Sequence, residues 1–484
     1  MRLFVQLMIE SIAVSLLGGF FGLLLAYAGT RAFVSLIPDT LPNPTLGLDH
    51  VTIDYRVLAF AFVMSLLSAF IFGSVPAIHA IRGDVGSLLG QGARASGTRA
   101  SQRLLQGLAG LEVALGLILL TGAGLMIRSF TALQHVSPGF DLTDRLLLRV
   151  AMPRFKMAAM RQPQQRAYYT ELLKRIERAP GVSSVGLISN LPLDGASVTM
   201  PFSIEGVPTP STGGYPETQL YSVSPGYFAS MGIPLMHGRV FSDRDNADSA
   251  NPVIVVSESF AERCWPKDNP IGKRLKSVPA TGPWFMVIGV VGDVRHDDVA
   301  VEPTIALYMP YLQHIDLLPT LSLVVHTAID PLAAAGSVRR EIAAFDRDQP
   351  VSRVTTTSRL VADATWRPRF STLLLPVFGI LALALAAIGL YGVTAYSVAQ
   401  RTREIGIRMA LGAAPSKILR LILVQGLRPV LVGLAVGLAA SAAAARWLSG
   451  LLYGVEPNDS TTFCLVTIIL ISVSFLACIC RVEP

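Results

Sequence analysis

Long uncharged apolar segments alternate along the chain with short charged ones, and a central region of mixed composition interrupts this pattern. A bilayer hydrocarbon core of about 30 Å requires about 20 apolar residues in a helix. The segments that meet or approach this length are 11–30, 57–81, 104–127, 370–400, 421–445 and 460–480. The pattern predicts about six transmembrane helices, with three on each side of the central region.

The composition agrees with this pattern. The chain has 484 residues, of which 51% are apolar and 15% charged, whereas a soluble domain averages about 25% charged residues. Ordinary soluble, disordered and collagen-like classes are therefore excluded. Residues 128–369 hold 25 Lys and Arg and 23 Asp and Glu. A nearly neutral, soluble-type domain of about 240 residues is expected between the membrane-spanning flanks.

The charges of the connecting segments predict the orientation in the membrane, because cytoplasmic loops are enriched in Lys and Arg. Segments 82–103 and 401–417 each carry a net charge of +3, and segments 31–56 and 446–459 each carry −1. With six spans, the basic segments fall on one side and the acidic ones on the other. Both termini are then cytoplasmic and the central domain is extracytoplasmic. The net charge of +7 follows from this asymmetry, so no nucleic-acid partner is expected.

An alternative interpretation makes residues 1–28 a cleaved signal peptide, with Ala26-Tyr27-Ala28 before the cleavage site. The apolar stretch is too long for a signal peptide, and Glu10 lies where positive charge is expected. Loss of this span would also destroy the alternation of loop charges. A retained transmembrane helix is therefore favoured.

Two predicted spans contain a charged residue near one end. Arg428 lies near the start of the fifth, and Glu112 lies nine residues after Arg103 in the third. Nine residues cover about 13 Å of helix, which places Glu112 in the cytoplasmic half of its span. At this shallow depth, pairing or snorkelling is a better explanation than a proton relay.

The first and fifth spans align without gaps. Gly18 and Gly22 match Gly433 and Gly437, and Arg31 matches Arg446 directly after the span. Four-residue spacing places small residues on one helix face, where they allow close helix packing in lipid. The alternative is chance enrichment of small residues in membrane helices. The matched arginines favour a duplicated two-helix unit with these four glycines as helix-packing positions.

The central region predicts mixed α/β structure. A β-α-β unit is expected from strands at 146–152 and 182–189 with a helix at 163–178, and a second from strands at 321–326 and 351–355 with a helix at 331–345. Further strands are predicted at 253–256, 284–291 and 305–309, with a loop at 206–214. The predicted fold class is an α-helical membrane protein with an inserted α+β extracytoplasmic domain.

No residue pattern predicts a catalytic, cofactor or metal site. His296 lies in a polar stretch with Asp297 and Asp298, but metal-ligand spacing is missing, so a polar turn after a buried strand is the simpler explanation. The sequence has neither a nucleophile elbow nor a Walker A motif. The chain itself is therefore not expected to hydrolyse ATP.

The segment after the fourth span predicts a short charged helix at the cytoplasmic surface. Thr402 suits a helix start, Gly412 suits a helix end, and Glu404 can pair with Arg408 four residues later. Two interpretations are open. The helix either lies in the membrane interface as an amphipathic anchor or binds a cytoplasmic partner.

Several motifs resemble one known family. Residues 391–393 and 401–413 resemble the FtsX-like permease signature of MacB-type ABC transporters. The central region resembles the MacB-like periplasmic core domain. The matching stretches are Ser224-Pro225-Gly226-Tyr227-Phe228, Met231-Gly232-Ile233-Pro234-Leu235, Gly238-Arg239, Trp265-Pro266, Pro270-Ile271-Gly272-Lys273-Arg274 and 287–295.

The resemblance implies a four-part organisation. Residues 1–103 form a partial first permease repeat, 104–128 a transmembrane helix, 129–366 the periplasmic core domain, and 367–484 the FtsX-like permease domain with a coupling helix at 401–413. The chain resembles a shortened member of the acidobacterial duplicated orphan permeases. Relative to that group, the resemblance implies that most of the first repeat and a basic segment after the last span are missing from this sequence.

The resemblance also implies mechanical transmission in the inner membrane. A cytoplasmic ABC ATPase would bind the coupling helix, and its movements would reach the periplasmic domain, which moves substrate outside the bilayer for efflux or export. Further expected partners are the lipid bilayer, a periplasmic adaptor and a second permease unit in a dimer. The alternatives are a non-transporting FtsX-like signalling protein and an inactive truncated permease. The expected ATPase-coupling residues are Arg401, Arg403, Glu404, Ile405, Gly406, Arg408, Leu411 and Gly412.

Overall fold

The computed structural model of the protein describes residues 2–34, 54–82, 94–151, 156, 160–195, 197–208, 214–247, 252–278, 283–313, 320–411 and 415–479. The chain divides into two compact units. One unit consists of Met1–Ala132 with Arg367–Pro484, and the other is Leu133–Trp366.

The helices are named in chain order. They are α1 (Arg2–Val34), α2 (Tyr55–Arg82), α3 (Arg94–Gln134), α4 (Gln162–Glu177), α5 (Tyr227–Met231), α6 (Asp243–Ala247), α7 (Glu258–Cys264), α8 (Pro331–Phe345), α9 (Thr357–Ala364), α10 (Trp366–Ala410), α11 (Pro415–Trp447) and α12 (Ser460–Ile479).

The strands are named in the same way. They are β1 (Arg145–Ala151), β2 (Val182–Ile188), β3 (Thr199–Ile204), β4 (Glu217–Val223), β5 (Leu235–Gly238), β6 (Val253–Ser257), β7 (Arg274–Ser277), β8 (Phe285–Val291), β9 (Ala306–Pro310), β10 (Thr320–Thr327) and β11 (Val351–Thr356).

The first unit is helical and apolar. Five helices in the described part of the chain are long and apolar enough to cross a membrane, and their apolar stretches are Met8–Ala32, Gln106–Gln134, Pro368–Ala395, Gly426–Trp447 and Ser460–Ala477. In α2, which covers the second predicted span, the apolar stretch among the described residues is the shorter Tyr55–Phe70. The predicted class of a helical membrane protein with an inserted α+β domain is confirmed.

Two helices extend well beyond the predicted spans. α3 begins at Arg94, so Arg99 and Arg103 lie on a helix and not in the loop predicted at 82–103. α10 continues without a break to Ala410. The prediction of a separate helix that starts at Thr402 is therefore wrong. Charged side chains end a membrane span but not a helix, because Arg, Glu and Gln are good helix formers. Of the connecting segments, residues 35–53 and 83–93 lie outside the described residues.

The second unit contains one sheet of eleven strands in two parts. Its first part has the order β11-β1-β10-β2, with every neighbour antiparallel. Both predicted β-α-β units are present, but in each unit a strand of the other unit lies between the two parallel strands. This is the split β-α-β arrangement. Helices α4 and α8 contribute Leu172, Ile176, Val338 and Ile342 to a core that also contains Leu146, Leu323 and Val325 from the strands.

The second part of the sheet is inserted between β2 and β10. Here β4, β3, β7, β8, β6 and β9 pair in this order, and β9 also pairs with β4, so the six strands form a closed ring. Strand β5 pairs with β8 outside the ring. A second core of Phe202, Ile254, Leu275, Val287, Leu307 and their neighbours belongs to this part. The domain therefore has two cores, one for each part of the sheet. The loop predicted at 206–214 falls partly outside the described residues.

Candidate functional site

α3 contacts three other helices of the membrane-spanning unit. Small or branched apolar residues of all four helices form one buried cluster: Ala109, Val113 and Leu117 of α3, Ala386 and Leu390 of α10, Val430 and Leu434 of α11, and Val466 and Leu470 of α12. Lipid is as apolar as these side chains, so close packing, and not the hydrophobic effect, must hold such helices together. The glycines at these contacts show how closely the helices approach.

The contact between α3 and α11 is made by backbone atoms. A Cβ atom on Gly433 would overlap the carbonyl oxygen of Gly110 and lie 3.0 Å from Cβ of Val113. A Cβ atom on Gly437 would lie 3.0 Å from Cα of Ala114. The structure therefore places both predicted packing glycines of α11 directly against α3.

The other two predicted packing glycines are placed differently. No described atom lies within 4 Å of the Cβ positions of Gly18 and Gly22. α1 instead approaches α2 through Gly19, whose Cβ position is 2.5 Å from Oγ of Ser65. The aligned glycines of the two repeats thus do not share one environment, and a packing role for Gly18 and Gly22 stays a prediction.

The contact between α3 and α10 contains Glu112. Its carboxylate lies in the space that Gly389 leaves free, because a Cβ atom at Gly389 would overlap Oε2 of Glu112. This Oε2 atom is buried and has no hydrogen-bond partner among the described residues. Near the other end of the same interface, Thr372 donates a hydrogen bond of 3.2 Å to the carbonyl of Met126. The pairing predicted for Glu112 therefore has no counterpart in the described structure.

The contact between α3 and α12 ends in an ion pair. Arg128, near the end of α3, pairs with Asp459, which directly precedes α12. Asp459 also caps α12, because its carboxylate accepts a 3.0 Å hydrogen bond from the backbone N–H of Thr462. Next to this pair, the N–H of Tyr453 donates to Oγ of Ser129 at 2.8 Å. These contacts fix the end of α3 to the segment that connects α11 and α12.

α10 carries the predicted ATPase-coupling residues. It is 45 residues long, which corresponds to about 68 Å. Among the residues whose side chains are described, its apolar stretch ends at Ala395, and the helix continues for 15 further residues, about 22 Å. Pro376 lies inside the helix, where a proline removes one backbone hydrogen bond and favours a bend. The helical backbone is nevertheless continuous from Trp366 to Ala410, so one helix connects the end of the second unit to the coupling segment.

The structure describes only the backbone for some of the coupling residues and also the side chains for others. Arg401, Arg403, Glu404, Ile405 and Gly406 lie on the helical backbone of α10, and their side chains are outside the described part. Of the other coupling residues, Arg408 is exposed, Leu411 is 81% exposed, and Gly412 lies outside the described residues. The apolar side chain of Ile407, directly before Arg408, is 55% exposed. The described end of α10 thus presents apolar surface next to Arg408.

His296, the residue considered for a metal site, lies in the core of the second unit. Its ring stacks on Tyr221 at 3.9 Å, and its Nε2 atom lies 3.0 Å from the hydroxyl of Tyr308. Burial lowers the pKa of His296 to about 3, so the ring is neutral near pH 7. The neighbouring Asp297 accepts a 2.6 Å hydrogen bond from the side chain of Gln219. No group of three potential metal ligands occurs among the described residues.

One buried charge of the second unit was not singled out from the sequence. Asp194 is 1% exposed and pairs with both Arg149 of β1 and Arg353 of β11. It follows β2 in the chain, so this carboxylate connects three segments of the first sheet part. A lone Asp in the stretch Leu191-Pro192-Leu193-Asp194-Gly195 is typical of a turn, and only the pairing of β1 with β11 brings its partners together.

Two family models match the chain. The MacB-like periplasmic core domain matches residues 111–345, and the FtsX-like permease C-terminal domain matches residues 376–481. The first match covers most of the second unit and part of α3. The second begins at Pro376 in α10 and continues through α11 and α12.

Individual relatives also carry permease names. The chain is 31% identical over 243 residues to a probable syringafactin export ATP-binding/permease protein, SyfD, of Pseudomonas syringae pv. tomato, covering 46% of this chain and 34% of that protein. It is 26% identical over 253 residues to a macrolide export ATP-binding/permease protein, MacB, of Aggregatibacter actinomycetemcomitans, covering 51% of this chain and 38% of the relative. The chain thus spans just over a third of the length of these relatives.

Among solved structures, the periplasmic region of MacB from Actinobacillus actinomycetemcomitans aligns with 46% of this chain and 92% of that region, at 16% identity and a TM-score of 0.31. The two family matches, which lie on the two units in the order expected for a permease, decide the classification. The chain belongs to the MacB/FtsX-type permeases, which combine a MacB-like periplasmic core domain with an FtsX-like permease domain.

Proposed function

We propose that this chain is the permease subunit of an ABC transporter and transmits the movements of a separate ATPase to its periplasmic domain for export. The observation that carries this proposal is the continuity of α10. One helix joins the coupling segment at 401–410 to residue 366, where the periplasmic domain ends. A continuous helix transfers displacement of one end to the other, with Pro376 as the position where it can bend.

α3 is proposed as the second element of this transmission. It enters the periplasmic domain at its other chain connection, at residues 132–133. Backbone-level packing on α11, the Glu112–Gly389 contact with α10 and the Arg128–Asp459 pair fix α3 within the bundle. Because interfaces packed this closely cannot deform continuously, a displacement of α10 has to move α3 with it.

The partners are part of the proposal. A separate cytoplasmic ABC ATPase hydrolyses ATP and binds the end of α10. Both termini of the chain face the cytoplasm. A second permease unit completes a dimer, and a periplasmic adaptor binds the extracytoplasmic domain. The names of the relatives, which join "ATP-binding" with "permease" and with macrolide or syringafactin export, support an export role.

Site-specific photo-crosslinking tests the position of the ATPase. A photoreactive residue at Ile407, which is 55% exposed, should crosslink an ABC ATPase in native membranes of the source cell. The matched control is Ile388 on the same helix, which is 68% exposed within the apolar stretch and should crosslink only lipid. Glu404→Lys should abolish the ATPase adduct at Ile407.

Two results would contradict the proposal. One is an adduct of the ATPase at Ile388 that is as strong as that at Ile407. The other is an Ile407 adduct that contains only lipid, which would make the end of α10 a membrane-surface anchor.

A further inference from the structure

An open groove runs along the outside of the contact between α3 and α11. Its volume is about 380 Å³. We call it the α3–α11 groove, and its lining includes Gln106, Gly110, Ala114, Arg428, Val432 and Val436. All of these residues belong to the membrane-spanning unit. Gly110 and Ala114 also take part in the packing of α3 on α11, whereas Gln106, Arg428, Val432 and Val436 have no role in the transmission proposed above.

The shape of the groove follows from the glycine contact beneath it. Because Gly110 and Gly433 bring the two backbones into contact, no side chain fills the angle between the helices. Its outer walls are open, since Val432 is 63% exposed and Val436 is 56% exposed. From Arg428 to Val436 the groove follows eight residues of helix, about 12 Å. It therefore has the form of a narrow apolar slot that opens toward the acyl chains of the bilayer.

One end of the groove is polar. Gln106 lies two residues after the start of the predicted span 104–127, and Arg428 lies seven residues after the start of the predicted span 421–445. Seven residues cover about 10 Å of helix, a depth from which a long arginine side chain can reach the headgroups. Arg428 is exposed and has no ion pair among the described residues. A guanidinium can donate two parallel hydrogen bonds to a phosphate, and its weak hydration favours such contacts at an interface.

We propose that the α3–α11 groove binds an anionic phospholipid, with its phosphate on Arg428 and one acyl chain along the groove. A cation at one end of an apolar groove is complementary to a lipid anion with an attached hydrocarbon chain. The positive-inside prediction places this end in the cytoplasmic leaflet, where anionic lipids attract basic sites between helices. A second copy of the chain fits less well, because covering Arg428 without a carboxylate would bury an unpaired charge.

Native mass spectrometry of the full purified chain tests this site. Delipidated protein is titrated with phosphatidylglycerol and with phosphatidylcholine that carries the same acyl chains. The wild type should retain phosphatidylglycerol preferentially. Arg428→Gln should weaken phosphatidylglycerol binding about fivefold, as expected for the loss of one interfacial cation. It should weaken phosphatidylcholine binding less, because the choline cation offsets the charge of the phosphate, so the preference for phosphatidylglycerol should be lost. Val432→Trp, which fills the groove, should weaken the binding of both lipids.

The matched control is Arg446→Gln, which removes the same charge from the opposite end of α11 and should leave both affinities unchanged. An unchanged Tm of the variant in the same detergent reports that Arg428→Gln is folded. Equal effects of Arg428→Gln and Arg446→Gln would overturn the proposal. It would also be overturned if the wild type did not distinguish the two lipids, or if Val432→Cys formed a disulfide between two copies, since a second chain would then occupy the groove.

Discussion

Replacing Gly433 by alanine should loosen the contact between α3 and α11. The new Cβ atom would overlap the carbonyl oxygen of Gly110 and lie 3.0 Å from Cβ of Val113. A backbone oxygen cannot rotate away, so we place the cost at the upper end of the overpacking range, about 3 kcal/mol. Alanine returns up to about 1 kcal/mol in helix propensity. The net expectation is a loss of about 2 kcal/mol.

The control for this substitution is Gly122→Ala in α3, where no described atom lies within 4 Å of the Cβ position. It should be neutral, or stabilise the chain by up to about 1 kcal/mol. The assay is thermal unfolding of the purified full chain in one detergent. A loss of about 2 kcal/mol corresponds to a fall in Tm of roughly 4–8 °C. If Gly433→Ala unfolded at the same temperature as Gly122→Ala, the close approach of the two backbones would be refuted.

Three further substitutions test other contacts by the free energy of unfolding of the full chain. Asp459→Ala removes the cap of α12 and the partly exposed pair with Arg128 and should cost about 1–2 kcal/mol. Asp194→Ala leaves Arg353, whose side chain is 15% exposed, without this partner and should cost about 3 kcal/mol, the low end for a broken buried pair. The neutral, buried His296 binds a proton only after unfolding, so between pH 6.5 and 5 the native state should lose about 2 kcal/mol. His296→Gln should remove this pH dependence.

Each of these predictions has a control and a result that would contradict it. Glu456→Ala is exposed in the same connecting segment as Asp459 and should have no effect, so equal losses for both would argue against the cap and the ion pair. Glu171→Ala, at an exposed position of α4, serves the same purpose for Asp194. For His296, an unchanged loss of stability at pH 5 in His296→Gln would assign the acid sensitivity to other groups.

The apolar spans could be predicted from the sequence because uncharged runs of membrane length are a local property. The ends of the helices could not. Arg94, Arg99 and Arg103 mark the membrane boundary but continue α3, and the residues after Ala395 continue α10 in the same way. Hydropathy reports where a helix leaves lipid, whereas helix propensity decides where the helix stops.

In the periplasmic domain, seven strands were predicted within one or two residues, and the sequence analysis missed β3, β4, β5 and β7. Strand β3 contains Pro201, and β7 consists of four residues with Arg274 and Lys276 among them. Such strands exist because distant partners hold them, as Phe202 pairs with Ser277 across more than seventy residues. Propensity carries no information about such pairing.

In the candidate site, too, local features could be predicted from the sequence, whereas contacts between distant residues could not. The sequence predicted Gly433 and Gly437 as packing positions, since four-residue spacing places them on one face of α11. It could not identify Gly110 and Ala114 as the positions they would meet, because that depends on which helix lies next to α11. Likewise, Arg128 and Asp459 lie 331 residues apart, and only the fold brings them together.

The central claim is that α10 transmits movement as one continuous helix. The sample is a cysteine-free chain assembled with its ATPase in lipid nanodiscs. Spin labels replace Ile388 of α10 and Glu171 of the periplasmic domain. The distance between the two labels is measured with and without ATP. Ala399→Pro interrupts α10 between the apolar stretch and the coupling segment. The ATPase should still bind this variant, but the ATP-dependent change in distance seen in the wild type should disappear. An undiminished change in Ala399→Pro would contradict transmission through α10.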